Sequence, residues 1–330
     1  MSRTDRKGKG KGRGSVESRG ESGAEADLSG SGAEIVVNLH VTERCNYRCS
    51  FCFGKWGIRG ADDPGADGGV DGVFGDPGRA FLLVSDVFRL LSVAGPSSST
   101  NIPVRFNFAG GEPALLRTLP EVVEYCRSLG ATTSFVSNGL MLRRFGIPWL
   151  ARNFDLVGLS VDSAVESTNL RIGRATSAGR VFDIGEIVSA VRALRSVSDC
   201  PVKINTVVNR KNVYEDLSPA LRDLAPEKWK VLQMLPVYDS TDEVTADEFQ
   251  AFVHRHAEFA DIMTVEDNDQ MTASYLMIDP LGRFFWTTDS EGRSVADATG
   301  YVYSRPILEV GAAAAYRECE ISWAKYARRY

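Results

Sequence analysis

The sequence lacks any apolar run of the roughly 18–20 residues that a membrane helix needs. Its N-terminus is basic, but no apolar stretch follows, so a secretory signal is missing as well. These two absences predict a soluble, cytoplasmic chain. A cationic surplus is missing too. The 38 Lys and Arg stand against 43 Asp and Glu, for a net charge of −5 and a pI near 5.4. That excludes a surface built wholly for nucleic acid but leaves room for one local basic pocket. Cysteine is sparse, six in 330 residues, and is not spread in pairs as in a secreted disulfide scaffold. What is present suffices for a core: 43% of residues are hydrophobic and 25% charged.

Two segments have no means of burying themselves. Residues 1–33 begin MSRTDRKGKGKGR and continue in glycine, serine and acids, a composition expected to stay disordered. This tail is read as solubilising rather than as a tether to nucleic acid. Residues 57–79 hold eight glycines and five aspartates without an apolar period, which predicts a flexible loop. Its repeated Asp-Gly pairs lack the ligand spacing and terminal Glu of a calcium-binding EF-hand loop.

Between and beyond them, strand and helix patterns alternate. Strands are expected at Ile35–Val41, Val104–Phe108, Thr132–Val136, Leu156–Val161, Val202–Val208 and Lys230–Leu235. Apolar residues at helical spacing fall at Phe81–Val93, Leu119–Leu129, Val181–Val197 and Val213–Leu224. Six such units predict an α/β fold, a partial (β/α)6 barrel over 34–236 with its functional rim at the strand C-terminal ends. Residues 237–330 are expected to extend it, with a helix near Ala246–Phe259. A hairpin from Ser274 to Trp286 would turn at Asp279-Pro280-Leu281-Gly282 and close one side of the barrel.

Half of the cysteines fall in Cys45-Asn-Tyr-Arg-Cys49-Ser-Phe-Cys52, just after the first strand. Three thiolates can hold three irons of a [4Fe–4S] cluster and leave the fourth open. A zinc site completed by His40 is the other metal reading. At the end of the second strand stands Asn107-Phe108-Ala109-Gly110-Gly111-Glu112-Pro113, a glycine pair followed by an acid.

The cysteine triplet and the Gly-Gly-Glu-Pro turn together resemble the radical S-adenosylmethionine superfamily. Further segments, among them LSVDS, NLRIGR, VKINTVVNRKNVYEDL and SYLMIDPLGRF, resemble the prokaryotic members of the viperin family of nucleotide dehydratases. The resemblance runs from about Val37 to at least Val310. It implies a [4Fe–4S] cluster on Cys45, Cys49 and Cys52, with S-adenosyl-L-methionine as cofactor. It implies a radical SAM lyase that abstracts hydrogen from C4′ of a ribonucleoside triphosphate (CTP, UTP or GTP), loses the 3′-hydroxyl and takes up an electron. The product would be a 3′-deoxy-3′,4′-didehydro nucleotide, a chain terminator in antiviral, anti-phage defence. It also implies a flavodoxin- or ferredoxin-like electron donor.

By the same resemblance the cofactor would meet Phe53, Gly110, Gly111, Glu112, Pro113, Ser137, Asn138, Ser160 and Arg174. The glycines would let the backbone approach the methionine amino group. The triphosphate or ribose would meet Asn38, Arg105, Asn107, Arg174, Lys203, Asn205 and Lys230. Tyr275 would serve the radical intermediate, since a phenol can yield both a proton and an electron. The basic set also makes sense by itself. A triphosphate carries about four negative charges near neutral pH and needs convergent cations. Alternation puts Lys203 and Asn205 on one face of their strand.

The chain departs from the family at several points. Ala109 stands where a serine precedes the glycines, and Arg105 where a lysine is usual. The stretch Thr288–Pro306 is longer than in the family, and Arg293 and Arg305 are both candidates for its basic residue. The polar tail does not resemble the amphipathic membrane helix of animal viperins. Rival readings are a radical enzyme acting on another substrate and a non-catalytic iron–sulfur protein that binds nucleotide or nucleic acid.

Overall fold

A computed structural model describes residues 34–54, 71–92, 102–236, 240–287 and 300–327. The basic tail, most of the glycine-rich stretch and Arg293 lie outside these residues. The first six strands form where alternation and β-branched residues place them: β1 (Ile35–His40), β2 (Val104–Ala109), β3 (Thr132–Ser137), β4 (Leu156–Ser160), β5 (Val202–Val208) and β6 (Lys228–Gln233). Each pairs in parallel with the next. A further strand, β7 (Met263–Glu266), adds in parallel beside β6. On the other flank β8 (Leu276–Ile278) joins β1 in parallel, and β9 (Phe284–Thr287) and β10 (Tyr301–Tyr303) follow antiparallel. The described strands make one ten-stranded sheet in the order β10-β9-β8-β1-β2-β3-β4-β5-β6-β7.

The sheet has two chemically opposite faces. Ile35, Val37, Leu39, Phe106, Phe108 and Phe135 point outward into a buried core. That core is shared with apolar residues of α1 (Pro77–Leu91), α2 (Leu119–Ser128) and, further round, α3 (Ile184–Arg195). Residues one position along each strand point inward, and many are polar: Asn38, Arg105, Asn107, Ser134, Lys203 and Asn205 line a common cavity. A parallel sheet normally buries apolar residues on both faces, so a polar inner face marks a lumen made to be filled by something polar. The two flanks meet across it, where Tyr275 before β8 donates a hydrogen bond to Glu266 on β7. The sheet is therefore a partial barrel whose C-terminal extension closes one side.

Three expectations are corrected. Residues 71–79 are not loop. Gly72–Gly75 is a 3-10 turn that buries Val73 and Phe74, and α1 begins at Pro77 with Asp76 capping the Arg79 N–H. Asp-Pro at the start of a helix is a good signal, hidden here by the surrounding glycines. The helix expected from Val213 begins only at Ser218, because Pro219 is tolerated in a first turn but not in a helix interior. The helix after Thr245 runs Ala246–Arg255 and ends in a separate 3-10 turn, Ala257–Phe259. The hairpin turns where expected, with the Gly282 N–H donating to the Asp279 carbonyl at 2.9 Å and Gly282 at φ +75°. Among the described residues no helix is long and apolar enough to cross a membrane.

Candidate functional site

The inner faces of the strands and the loop after β1 enclose a cavity of about 310 Å³. Cys45, Cys49 and Cys52 stand at its rim, and Arg105, Lys203 and Lys230 line its lower wall. The cysteine loop is clamped from both sides by backbone. On one side Gly111 and Glu112 donate N–H bonds to Thr42 and Arg44 carbonyls at 2.8 and 2.7 Å. On the other, Arg48 and Ser50 donate to Gly173 and Ile172 carbonyls at 3.0 and 2.8 Å. A Cβ on Gly111 would lie 2.1 Å from the Arg44 carbonyl oxygen, and one on Gly110 2.7 Å from that of Thr42. The cysteine loop thus comes close only because both positions lack a side chain, and both glycines also line the cavity.

Among the described residues none of the three thiols is in a disulfide, and all are half-buried. Burial pushes Cys45 up to about 11 and Cys49 up to about 12, with the Arg174 guanidinium pulling both back down. The charged forms of the three cysteines repel one another, so they share one neighbourhood that disfavours thiolates until cations neutralise them. Among the described residues no three His, Cys, Asp or Glu converge as ligands of a single ion. A cluster has no need of that, since each thiolate takes its own iron. The residues therefore fit a [4Fe–4S] group. His40 is buried with its ring 5.0 Å from that of Phe285, and burial lowers it to about 3.

Glu112 is fully buried, and its carboxylate is taken up by the protein. It accepts from Ser137 Oγ at 2.8 Å, the Asn138 N–H at 2.9 Å and the Ala114 N–H at 3.2 Å. Desolvation raises it to about 7. Glu112 and Pro113 follow directly on Gly110 and Gly111, which line the cavity. They fix the end of β3, from which Asn138 reaches Asn46 Oδ1 at 2.8 Å and Cys45 Sγ at 3.8 Å. Phe53 sits on the rim, 39% exposed, near the rings of His40 and Tyr301. Ser160 presents its carbonyl to Arg174 at 2.6 Å.

Arg174 belongs to the cysteine end. It bonds Asp162 at 2.6 Å, lies over the Tyr47 ring at 5.8 Å and acts on Cys45 and Cys49. Below it, Asn107 donates to Asn38 Oδ1 and accepts from Ser134 Oγ, both at 2.8 Å. Register sets Asn205 beside both Ser160 and Lys230. Lys203 is lowered to about 7, by burial first and then by Lys230 and Arg105. Arg105 pairs with Glu34 at 3.1 Å and Lys230 with Glu266 at 2.6 Å. Tyr275 touches both Glu266 and Lys230. Arg305 is 64% exposed at its side chain, is paired with Glu318, and does not line the cavity.

Sequence reasoning missed Asp162, Glu266, Tyr47 and Tyr301. Asp162 follows Ser160 by two positions, so strand alternation could have found it. Glu266 ends a four-residue strand too short to show a period.

Comparison with known proteins gives a consistent picture. The radical SAM superfamily matches residues 39–224. A protein from Psychrobacter lutiphocae named S-adenosylmethionine-dependent nucleotide dehydratase is 36% identical over 300 residues, 90% of this chain and 95% of that one. One of the same name from Pseudoalteromonas ulvae is 34% identical over 307 residues, 90% and 93% of the two chains. The solved structure of native anSMEcpe with bound AdoMet and Kp18Cys peptide has a TM-score of 0.59 at 14% identity, covering 90% of this chain and 82% of that one. That last likeness is one of fold.

Proposed function

This chain belongs to the radical SAM superfamily and, within it, to the S-adenosylmethionine-dependent nucleotide dehydratases; on that premise we propose that it removes water from a ribonucleoside triphosphate. The product is the 3′-deoxy-3′,4′-didehydro nucleotide, which terminates RNA chains and serves antiviral defence. The observation that carries this reading is a single cavity with three thiols at its rim and three cations on its lower wall. The first set suits a cluster and the second a polyphosphate.

Cys45, Cys49 and Cys52 would hold a [4Fe–4S] cluster. Phe53, Gly110, Gly111, Ser137, Asn138 and Ser160 surround the space beside it for S-adenosyl-L-methionine. Bound there, cluster and cofactor supply the radical that takes hydrogen from the ribose C4′. The chain's own residues do the rest. Asn38, Asn107 and Asn205 offer amides to ribose or phosphate. Arg105, Lys203 and Lys230 neutralise the triphosphate and fix the sugar beneath the rim. Arg174, held by Asp162, places positive charge by the thiolates. Tyr275 stands in the wall, where a phenol can pass an electron and a proton. A flavodoxin- or ferredoxin-like protein in the cytoplasm would supply the electrons.

The test is anaerobic. The cluster is reconstituted and reduced, S-adenosylmethionine is added, and CTP, UTP, GTP and ATP are supplied separately. 5′-Deoxyadenosine together with a triphosphate lighter by one water, with one base favoured, is the expected result. Cofactor cleavage with every nucleotide unchanged points to another substrate and overturns the proposal.

A further inference from the structure

Three cations reach the lower wall of the cavity, and two of them arrive already paired. Arg105 has Glu34 and Lys230 has Glu266, whereas Lys203 makes no ion pair among the described residues. Glu266 closes β7, outside the residues that match the superfamily. Its side chain is 3% exposed. One carboxylate oxygen lies 2.6 Å from Lys230 Nζ, and the other accepts the Tyr275 hydroxyl. Lys230 Nζ is in turn 3.3 Å from the phenol oxygen. Side chains from β6, β7 and the segment before β8 thus form a closed triangle where the two flanks of the sheet meet.

A phosphate oxygen that reaches Lys230 must come close to this carboxylate. Two anions cannot share one ammonium in a desolvated wall without strong repulsion. The same wall is incomplete elsewhere. Asn205 Oδ1 and Arg105 Nε are buried without a hydrogen-bond partner among the described residues, as happens where a ligand supplies the missing half of the bond. Tyr275 gives Glu266 a second partner, so releasing Lys230 would not leave the carboxylate bare.

We propose that Glu266 is an internal counter-ion that holds Lys230 in the empty site and surrenders it to a phosphate oxygen when a polyphosphate enters. This rests on the polyphosphate reading of the cavity given above. Glu266 is a positioning residue: it sets how tightly the site holds a polyanion without contacting that anion.

The probe is inorganic tripolyphosphate, titrated calorimetrically into the full reconstituted chain. Removing the competing charge in Glu266→Gln should tighten binding about tenfold. Glu266→Asp keeps the charge but withdraws it by one methylene, and should tighten binding about two- to threefold. It serves also where the Gln variant, with Lys230 left unpaired, fails to fold. Lys230→Gln should weaken binding, and in that background Glu266→Gln should gain clearly less than in the parent, because most of its effect runs through that ammonium. Tighter binding by the Asp or Gln variant that shrinks markedly without Lys230 supports the counter-ion. Unchanged or weaker binding in both variants overturns it, as does the same gain in the Lys230→Gln background. No binding by the parent chain, with no binding of CTP, UTP or GTP either, overturns the polyphosphate reading itself.

Discussion

Replacing Lys203 with methionine should make the empty protein more stable and its hold on triphosphate weaker. Burial, with Lys230 and Arg105 nearby, lowers the lysine from 10.5 to about 7, and only Glu266 acts appreciably the other way. Each pKa unit is worth about 1.4 kcal/mol, so keeping the side chain charged in the empty cavity costs on the order of 5 kcal/mol. The sign follows from linkage. The folded chain prefers the neutral amine, so the penalty is complete below pH 7 and fades as pH rises from 7 toward 10.5. Lys203→Met removes it and keeps most of the aliphatic volume. If about 2 kcal/mol of the penalty is recovered at pH 7, Tm rises by about 3 °C for a chain of this size, and the gain shrinks at higher pH. Bound phosphate favours the charged amine, so between pH 7 and 9 the parent must take up a proton on binding. Its affinity for triphosphate should fall with each pH unit, up to about tenfold. Thermal unfolding and calorimetric titration across that range read both effects. A variant that melts below the parent at pH 7, with parent affinity flat from pH 7 to 9, would refute the reasoning.

Other expectations follow from the same geometry. Cys49→Ala should abolish 5′-deoxyadenosine formation and lower the iron bound per chain, measured by iron and sulfide analysis; an unchanged iron content would remove Cys49 from the ligands. Gly111→Ala drives a methyl to within 2.1 Å of the Arg44 carbonyl, so cluster reconstitution should fail, as followed by visible absorbance, while the outer core stays folded by circular dichroism. His256 accepts the Leu217 N–H at 2.9 Å on Nε2 and contacts the Phe252 carbonyl at 2.8 Å through Nδ1, which requires the neutral ring. Burial lowers it from 6.5, so stability should drop as pH falls below 6.5, by up to about 1.4 kcal/mol per unit. Denaturant titrations at pH 5 and 7 check this slope, which His256→Gln should lack.

The six central strands were legible because each alternates: an apolar outer face packs on helices while a polar inner face lines the lumen. The cysteine loop was legible because its spacing is local. What escaped were features set by tertiary contact. The glycines of the Gly-Gly-Glu-Pro turn signalled a close backbone approach, but not that carbonyls of the cysteine loop, more than 60 residues away in the chain, are among what they admit. That Glu112 also accepts hydrogen bonds from the β3 terminus left no mark in the sequence. The cations Arg105, Lys203 and Lys230 were found by charge and position, but their partners were not. Glu34 stands before β1 and Glu266 ends a four-residue strand, and no pattern in the sequence couples them to the cations they neutralise. The turn at 72–75 was lost because glycines outnumber the two residues, Val73 and Phe74, that bury it.

The central claim is that a nucleotide bound over the basic wall gives up its C4′ hydrogen at the cysteine rim. Its most direct test supplies the favoured triphosphate deuterated at C4′ to the reduced, reconstituted enzyme and weighs the 5′-deoxyadenosine formed. Deuterium in 5′-deoxyadenosine, in step with loss of water from the triphosphate, is the predicted result. 5′-Deoxyadenosine without deuterium, or deuterium retained in an unchanged triphosphate, would contradict it.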